Sequence, residues 1–395
     1  MIEHLSYSIG FWRGLITISA KRGKAPYFDV ALIRSNPILY EMRVLKIIRS
    51  LSKKYSLLVL GWDRDGTHSF SEVMGKNVLV KRSKIKAPYA RFYLILYYPL
   101  FWLWVFKNLI IHRPKVVHAC DLDALIPGYF FKLFFSAKLV FDNFDRFAMA
   151  FIPIEYRLLY SVINKIEEVL AKNSDALITV SEERKSSFGG YLPKHVEIIM
   201  NCPNLENYND RINDKQKLKV DKILTLVYAG AISRDRGLLL ISKAIENEKN
   251  VHLILAGRVL DDTLKHLLKN PNVSYVGLLK ADEVLKLERM ADVIPILYDP
   301  SIPINRVASP NKLFEAMMLG VPVITNVCAG IVKQTGCGLL VRYDVRDVKS
   351  AILYLKDKPL LRKKMGFNGY LACKKAYNWM LMEEKLLKLY SSFGM

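Results

Sequence analysis

Short apolar runs alternate with helical patterns from residue 27 to the end of the chain. Residues 27–33 (YFDVALI) form an apolar run typical of a buried parallel strand, and residues 39–51 continue with apolar side chains at helical spacing. The pattern predicts further strands at Ser56 to Leu60, Val116 to Ala119, Lys138 to Phe141, Ala176 to Val180, Val196 to Met200, Ile223 to Tyr228, Val251 to Leu255, Val273 to Val276, Asp292 to Leu297, Val321 to Thr325 and Gly338 to Val341. This alternation predicts the α/β class with parallel sheets.

A polar stretch separates two such halves. It is rich in Asn, Asp and Lys and poor in apolar residues, a composition typical of a linker. We therefore predict an N-terminal extension at 1–26, a first Rossmann-like domain at 27–204, the linker at 205–218, a second Rossmann-like domain at 219–376 and a terminal helical segment at 377–395. With 395 residues, each domain is large enough for its own core.

Fifteen consecutive apolar residues at 92–106 (FYLILYYPLFWLWVF) are flanked by lysines and arginines. The stretch is short for a membrane span, and Pro99 lies inside it. Two interpretations stay open: a buried helix of the first domain, or a segment that enters the headgroup region of an anionic membrane.

The charge balance favours an anionic partner. The chain carries 59 Lys and Arg against 37 Asp and Glu, a net charge of +22. The basic residues are interleaved with acids, and no nucleic-acid-binding motif is found, so no nucleic-acid partner is expected, although a basic nucleic-acid-binding protein stays as an alternative. The five cysteines show no C-x-x-C spacing and suit reduced, mostly buried thiols of a cytoplasmic protein. No cofactor and no metal site is predicted.

The stretch SPNKLFEAMMLGVPVITN, from Ser309, predicts a short helix that leads into a buried strand. Ser309 suits the N-cap and Pro310 the first helical position, and Gly320 is placed to end the helix.

The first turn of this helix has the groups that a nucleotide sugar requires. A phosphate can bind at the helix N-terminus with Lys312 beside it, because the first N–H groups have no intrahelical acceptor. Asn311 and Glu315 share one face, where the carboxylate can meet vicinal hydroxyl groups. The alternative is a simple Ser-Pro cap with a solvated Glu315.

A glycine-flanked basic loop follows the strand predicted at Ile223 to Tyr228. Gly230 opens it, and Arg234 and Arg236 supply charge for an anion that approaches the main chain. It is neither G-x-G-x-x-G nor a Walker sequence. The two following strands end at Gly257-Arg258 and before Leu278.

Polar residues follow two strands of the first half, where open α/β sheets bind ligands. His118, Cys120 and Asp121 lie at one strand end, and Asp142 and Asp145 at the other. The pairs are expected to face one cleft, with Asp121 as the better catalytic candidate. A helix N-cap is the alternative for the aspartates, and a core position is the alternative for His118.

The SPNKLFE sequence at 309–315 resembles the signature of the retaining GT-B glycosyltransferases of group 1, or GT4. The resemblance implies two Rossmann-like domains facing a central cleft, with a C-terminal helix that crosses back to the first. It implies that Glu315 binds the nucleotide ribose, that Arg236 contacts the diphosphate, and that Leu278 lies near the base. It also implies transfer without a metal or a covalent intermediate.

The sequence departs from the family pattern at several positions, among them the loop at 35–38, where Ser-Asn-Pro-Ile replaces paired glycines, and Arg236, which replaces a lysine. Val307 replaces the first glutamate of the signature, Ala231 replaces an arginine, and Cys120 replaces a histidine. Asn305 or main chain is expected to take the place of the missing glutamate. An inactive glycosyltransferase-like scaffold is therefore the main alternative.

The expected function is transfer of a sugar from a nucleoside-diphosphate sugar to a glycan or lipid-linked acceptor at the inner face of a membrane, by a cytoplasmic, peripheral protein. The predicted catalytic residues are Asp121, Arg236, Lys312 and Glu315. The predicted donor-binding residues are Gly230, Arg234, Arg236, Gly257, Arg258, Leu278, Ser309, Pro310, Asn311, Lys312 and Glu315. The predicted acceptor-side residues are His118, Cys120, Asp142 and Asp145.

Overall fold

The computed structural model describes residues 27–39, 41–88, 94–205 and 223–395, which divide into two α/β units. The first unit takes the described residues up to Ile178, with Tyr191–Glu197 and Leu386–Met395. The second takes Thr179–Gly190 and Ile198–Lys385. The predicted N-terminal extension and nearly all of the predicted linker lie outside the described residues.

The first unit is built on an eight-stranded sheet of order β3-β4-β2-β1-β5-β6-β7-β8. Its strands are β1 Val30–Ile33, β2 Leu57–Trp62, β3 Ser71–Val73, β4 Val78–Ser83, β5 Val116–Cys120, β6 Lys138–Asn143, β7 Ala176–Thr179 and β8 His195–Ile198. β1 pairs in parallel with β2 and β5, as its fully buried apolar side chains predict. The edge hairpin of β3 and β4 is antiparallel and was not predicted, because β3 is short and largely exposed.

Helices follow most of these strands along the chain. They are α1 Met42–Leu51, α2 Tyr98–His112, α3 Leu122–Phe135, α4 Phe147–Phe151, α5 Arg157–Lys172 and, at the start of the second unit, α6 Glu182–Ser186. The predicted first helix begins at Met42 rather than at residue 39, after a loop in which Ile38 has a positive φ of 69°.

The apolar stretch at 92–106 contributes to α2, which has one face in the core and one at the surface. Phe101 and Val105 are fully buried, whereas Leu100 and Leu103 are exposed. No helix within the described ranges combines the length and the apolar character needed to cross a membrane.

α5 is joined to the end of β6 by a buried ion pair. Arg146 and Glu167 are both 0% exposed, and Nε of Arg146 lies 3.0 Å from Oε2 of Glu167. The side-chain amide of Asn143 and the main-chain N–H of Phe147 also donate to the Glu167 carboxylate, at 3.1 and 3.2 Å. Several donors therefore compensate one buried carboxylate.

The second unit contains two three-stranded parallel sheets, of order β11-β10-β9 and β12-β13-β14. Its strands are β9 Leu224–Ala229, β10 Val251–Ala256, β11 Val273–Tyr275, β12 Ile294–Ile296, β13 Val323–Thr325 and β14 Gly338–Leu340. A single bridge between Leu226 and Val293 connects the sheets. Side chains from both sheets, such as Leu253 and Ile324, pack into one core.

The helices of the second unit complete the strand-helix alternation. They are α7 Leu238–Ile245, α8 Thr263–Leu267, α9 Ala281–Arg289, α10 Pro303–Arg306, α11 Asn311–Leu319, α12 Ala329–Thr335, α13 Val345–Lys356, α14 Pro359–Lys375 and α15 Trp379–Ser391. α15 begins in the second unit and ends in the first. There Tyr390 is fully buried, and its hydroxyl lies 2.6 Å from Nδ1 of His118.

Candidate functional site

Two glycines that touch each other shape the loops after β9 and β10. A Cβ atom on Gly257 would lie 2.0 Å from the carbonyl oxygen of Gly230, and Gly257 has a φ of +124°, so no other residue fits there. A Cβ atom on Gly230 would lie 2.9 Å from Cε of Lys312. The absence of side chains leaves main chain within reach of an anion, with a lysine beside it.

The helix of the SPN sequence begins one residue later than predicted. Pro310 precedes α11 in an extended conformation, and Asn311 is the first helical residue. The prediction that Ser309 caps the helix is wrong, because its hydroxyl donates instead to the carbonyl oxygen of Val180, at 3.3 Å. Gly320 ends the helix in the left-handed conformation, as predicted. The main-chain N–H of Leu313 donates to the carbonyl oxygen of Pro310, at 3.1 Å, which leaves the N–H groups of Asn311 and Lys312 as the ones that can meet an anion.

Lys312 lies between two carboxylates. Its Nζ is 3.2 Å from Oε1 of Glu288 on α9 and 4.0 Å from Oε2 of Glu315 on its own helix. Glu288 is fully buried, whereas Glu315 is partly exposed and can meet a ligand. Burial raises the pKa of Glu288 to about 7, against the attraction of Lys312 and with added repulsion from Glu315.

Arg236 and Lys312 both place positive charge near the side chain of Tyr228, at the end of β9. Nζ of Lys312 lies 5.7 Å from the centroid of the Tyr228 ring. Burial raises the pKa of Tyr228, and the charge of Arg236 opposes that rise. The guanidinium of Arg236 itself lies 4.4 Å from the centroid of the Tyr298 ring, which fixes its position. Two cations therefore act on one strand end.

The remaining donor-side candidates lie at the surface. Arg234, Arg258 and Leu278 are exposed. Arg234 is already engaged, because its main-chain N–H donates to Asp261 and its guanidinium lies 3.5 Å from Asp262. The structure thus brings Gly230, Gly257, Arg236, Lys312 and Glu315 together, and leaves these three at the rim.

Val307, where the sequence departs from the signature, is anchored through its main chain. The carbonyl oxygen of Val307 accepts two hydrogen bonds from the guanidinium of Arg184, each of 3.3 Å. Asn305 is buried, and its amide donates to the carbonyl oxygen of Asp299, at 3.0 Å. Asn305 therefore supports the loop, and the carbonyl of Val307 has a fixed orientation. The side chain of Asn311, at the start of α11, accepts from that of Asn201, at 2.9 Å.

A cavity of about 280 Å³ lies in the first unit, at the carboxyl ends of β1 and β5. Its polar lining residues are Arg34, Ser35, Asn36, Arg64, Asp121 and Asp123. Its apolar and aromatic lining residues are Leu94, Ile95, Tyr98, Phe147, Phe151 and Ile152. The cavity therefore suits a ligand that has both polar and apolar groups.

Asp121 is the predicted residue that lines this cavity. Its carboxylate pairs with the guanidinium of Arg34, which also bonds Glu41 at 2.6 Å, and it accepts from the main-chain N–H of Phe144 at 2.8 Å. Burial raises the pKa of Asp121 to about 7, although the attraction of Arg34 opposes the rise. Asp121 occupies the position before α3, but its side chain makes no capping hydrogen bond.

The expectation that Asp142 faces a cleft with Asp121 is wrong. Asp142 is fully buried, with Oδ1 accepting from Arg43 at 2.7 Å and Oδ2 lying 3.2 Å from Nε2 of His118. His118 is likewise buried and has the core position named as its alternative. These side chains are oriented by Arg43, which is 99 residues distant in sequence from Asp142.

Cys120 and Asp145 have opposite environments. Burial raises the pKa of the Cys120 thiol well above its ordinary value, with the charge of Asp142 adding to the effect, so the thiolate is not available. Asp145 is exposed, and its main-chain N–H donates to Asp121 at 3.2 Å. All five cysteines are buried and free, as predicted.

Within the described residues, His118, Cys120 and Asp142 bring potential metal ligands within 4.8 Å of one another. No sequence spacing predicted this group, because it spans two neighbouring strands. The guanidinium of Arg43 already balances the charge of the Asp142 carboxylate, and Tyr390 occupies the other nitrogen of His118. The donor set therefore fits a structural network better than a cation.

Sequence reasoning missed Arg34 and Glu288. Arg34 directly follows β1, and the rule that sites form at strand ends could have identified it. Glu288 stands inside a helix and is 24 residues away from Lys312, so no local pattern signals their contact.

Comparison with known proteins identifies the class of the second unit. Residues 224–358 match the family model described as glycosyl transferases group 1. No curated protein matches the chain significantly. Over these residues the second unit therefore resembles the group 1 glycosyltransferases.

Solved structures identify the fold of the whole chain. Sucrose-phosphate synthase (tll1590) from Thermosynechococcus elongatus is similar over 92% of this chain and 98% of its own, with a TM-score of 0.77 and 15% identity. Anabaena Alr3699/HepE in complex with UDP and glucose is similar over 93% and 100%, with a TM-score of 0.69 and 15% identity. The E. coli structure described as trehalose-6-phosphate bound with UDP-2-fluoro glucose is similar over 91% and 98%, with a TM-score of 0.67 and 11% identity. The chain has the GT-B fold, as predicted.

Proposed function

We propose that the protein transfers a sugar from a nucleoside-diphosphate sugar, with retention of anomeric configuration, to a glycan or lipid-linked acceptor at a membrane surface. The observation that carries this proposal is the anion site of the second unit. Lys312 and Arg236 act on the end of β9, beside main chain left open by Gly230 and Gly257, and Glu315 follows one turn into α11.

The chemistry follows from the charges at this site. When the glycosidic bond to the donor breaks, negative charge develops on the leaving diphosphate. Arg236, Lys312 and the N-terminus of α11 stabilise that charge, and two fixed cations can do so without a metal ion. Glu315 accepts hydrogen bonds from the ribose hydroxyls. In the first unit, Asp121 orients the acceptor hydroxyl and can accept its proton, since its pKa is about 7.

A thermal-shift screen tests the donor assignment. The purified chain is melted with UDP, GDP, ADP, CDP and their common sugar esters. A ligand that binds only the folded state raises the melting temperature by mass action, so we expect a shift with one nucleotide. Uridine nucleotides come first, because HepE and the E. coli structure were solved with UDP or a UDP-sugar. No shift with any nucleotide, in a protein that melts cooperatively, supports the inactive scaffold instead.

The cavity of the first unit favours a lipid-linked acceptor over a free glycan. Its polar lining residues, among them Arg34 and Asp121, suit a hydroxyl or phosphate group. Of its apolar lining residues, Ile95 and Phe151 are exposed, and so are the neighbouring Leu96 and Ile154. An apolar chain can therefore leave the cavity along these side chains.

Three helices of the first unit carry exposed apolar side chains, which we call the apolar face. α2 contributes Leu100 and Leu103, α3 contributes Phe130, Leu133 and Phe134, and α5 contributes Leu158, Val162, Ile166 and Val169. α3 packs against both α2 and α5. On α5 the apolar residues recur at helical spacing, yet only Glu167 and Ala171 of that helix are buried. Exposed lysines and arginines accompany them, at Lys107, Arg157 and Lys172. Apolar side chains beside positive charge suit an anionic membrane.

Replacing Leu158 and Val162 by serine is expected to weaken vesicle binding about tenfold or more. Leu158 is 81% exposed and Val162 47%, so the change removes membrane contacts worth roughly 1–2 kcal/mol each without disturbing the core. The measurement is co-sedimentation with vesicles containing anionic lipid. The matched control is Leu360→Ser, at a residue 78% exposed in the second unit, which should bind as wild type does. A wild-type protein that stays in the supernatant contradicts the proposed membrane contact.

A further inference from the structure

Glu288 is a fully buried carboxylate whose two oxygens have different surroundings. Oε1 lies 3.2 Å from Nζ of Lys312. Oε2 is buried and has no hydrogen-bond partner among the described residues. A buried carboxylate oxygen without a donor is costly, so the single ion pair with Lys312 carries most of the compensation for this charge.

Lys312 faces the donor site on its other side. Its chain lies against Gly230, where a Cβ atom would be 2.9 Å from Cε and 3.5 Å from Nζ. Its side chain is 17% exposed. The ammonium group is therefore shared between a buried partner behind it and the open glycine loop in front of it. A diphosphate in that loop competes with Glu288 for the same charge.

The charges around Lys312 determine how strongly Glu288 opposes the binding of a diphosphate. α11 contributes Lys312 and Glu315 to the surroundings of Glu288, and β9 contributes Tyr228, which burial keeps in its neutral form. Two ionised carboxylates cancel the charges of Lys312 and Arg236, so the site then has no net positive charge to attract a diphosphate. Protonation of one carboxylate leaves the site net positive, and the buried Glu288 is the one that water solvates least.

We propose that Glu288 is a positioning residue for Lys312, and that binding of a nucleoside diphosphate at Lys312 is accompanied by uptake of one proton from solvent by Glu288. The inference rests on the proposed donor site. In the empty site, the ionised form of Glu288 holds the ammonium group. When a diphosphate draws the ammonium group forward, the Glu288 carboxylate binds a proton and becomes neutral. Lys312 stays charged throughout, and no bond other than the new O–H of Glu288 is made or broken.

Isothermal titration calorimetry of the full chain with UDP-glucose tests the inference, or with the sugar ester of whichever nucleotide raises the melting temperature. Such an ester does not titrate between pH 6 and 8, so proton uptake reports on the protein. In buffers of different ionisation enthalpy at pH 7, wild type should take up about half a proton, because the pKa of Glu288 is about 7 and half of it is already protonated. Its Kd should rise about fivefold from pH 7 to pH 8.

Glu288→Gln keeps the shape of the side chain and cannot titrate. We expect its proton uptake to be near zero and its Kd to change by less than about twofold over the same pH range. Equal uptake in the two proteins overturns the inference. If the variant does not melt cooperatively, the wild-type measurement decides alone, since a Kd independent of pH contradicts proton uptake. Absence of any binding contradicts the donor site itself and the inference with it, whereas binding without uptake contradicts only the inference.

Discussion

Glu315→Ala is expected to lower kcat/KM for the sugar donor about a hundredfold or more while the protein melts at the wild-type temperature. Glu315 is partly exposed, and its carboxylate lies 4.0 Å from Nζ of Lys312, so this ion pair contributes little to the stability of the fold. A hydrogen bond to a charged acceptor contributes about 1.5–3 kcal/mol, and ribose offers two hydroxyls. Alanine favours the helix, so stability should change by less than about 0.5 kcal/mol.

The measurement is transfer from the donor that the thermal-shift screen identifies, with the melting curve of the same sample. Glu384→Ala, an exposed glutamate on α15, is the control and should transfer sugar at the wild-type rate. Near-normal transfer by Glu315→Ala would show that the ribose is held elsewhere, and the donor site would have to be assigned again.

Glu167→Ala should destabilise the first unit by about 3–5 kcal/mol. The change leaves the guanidinium of Arg146 buried without its main partner, and breaking a buried ion pair by removing one member costs this amount. It also leaves the amide of Asn143 and the N–H of Phe147 without their acceptor. Urea denaturation, followed by a probe in the first unit, gives the free energy of unfolding.

Lys115→Ala, in the same unit, removes the exposed partner of Asp29 and serves as the control. Its loss should stay within about 1 kcal/mol, because that pair is solvated. A similarly small loss for Glu167→Ala would mean that Glu168 and Asn164, which also contact Arg146, replace the missing carboxylate.

The predictions that the structure confirms came from the spacing of apolar residues along the chain. The short apolar runs between helical patterns predicted nearly every strand of the three sheets, since a buried parallel strand needs a continuous apolar run. Gly320 was predicted as a helix end because a left-handed residue there favours glycine. These features depend on neighbours in sequence, which a single chain displays directly.

The errors concern competition between distant partners. Ser309 is a residue type that often caps helices, yet its hydroxyl donates a hydrogen bond to the carbonyl oxygen of Val180, 129 residues away. Asp142 follows the pattern of a site residue at a strand end, yet it is buried in an ion pair with Arg43. Glu288 was overlooked because its contact with Lys312 joins residues that are 24 positions apart. A local pattern gives the kind of group at a position, and tertiary contacts decide which way that group points.

The contact between Tyr390 and His118 affects how the chain matures on the ribosome. The two residues are 272 positions apart, and both belong to the first unit. At about 5–20 residues per second, translation of the intervening chain takes roughly 14–54 s. During that time His118 lacks its aromatic neighbour, and the core of the first unit is incomplete. The core of the first unit can therefore be completed only after the second unit has been synthesised, although the strands of the first unit emerge first.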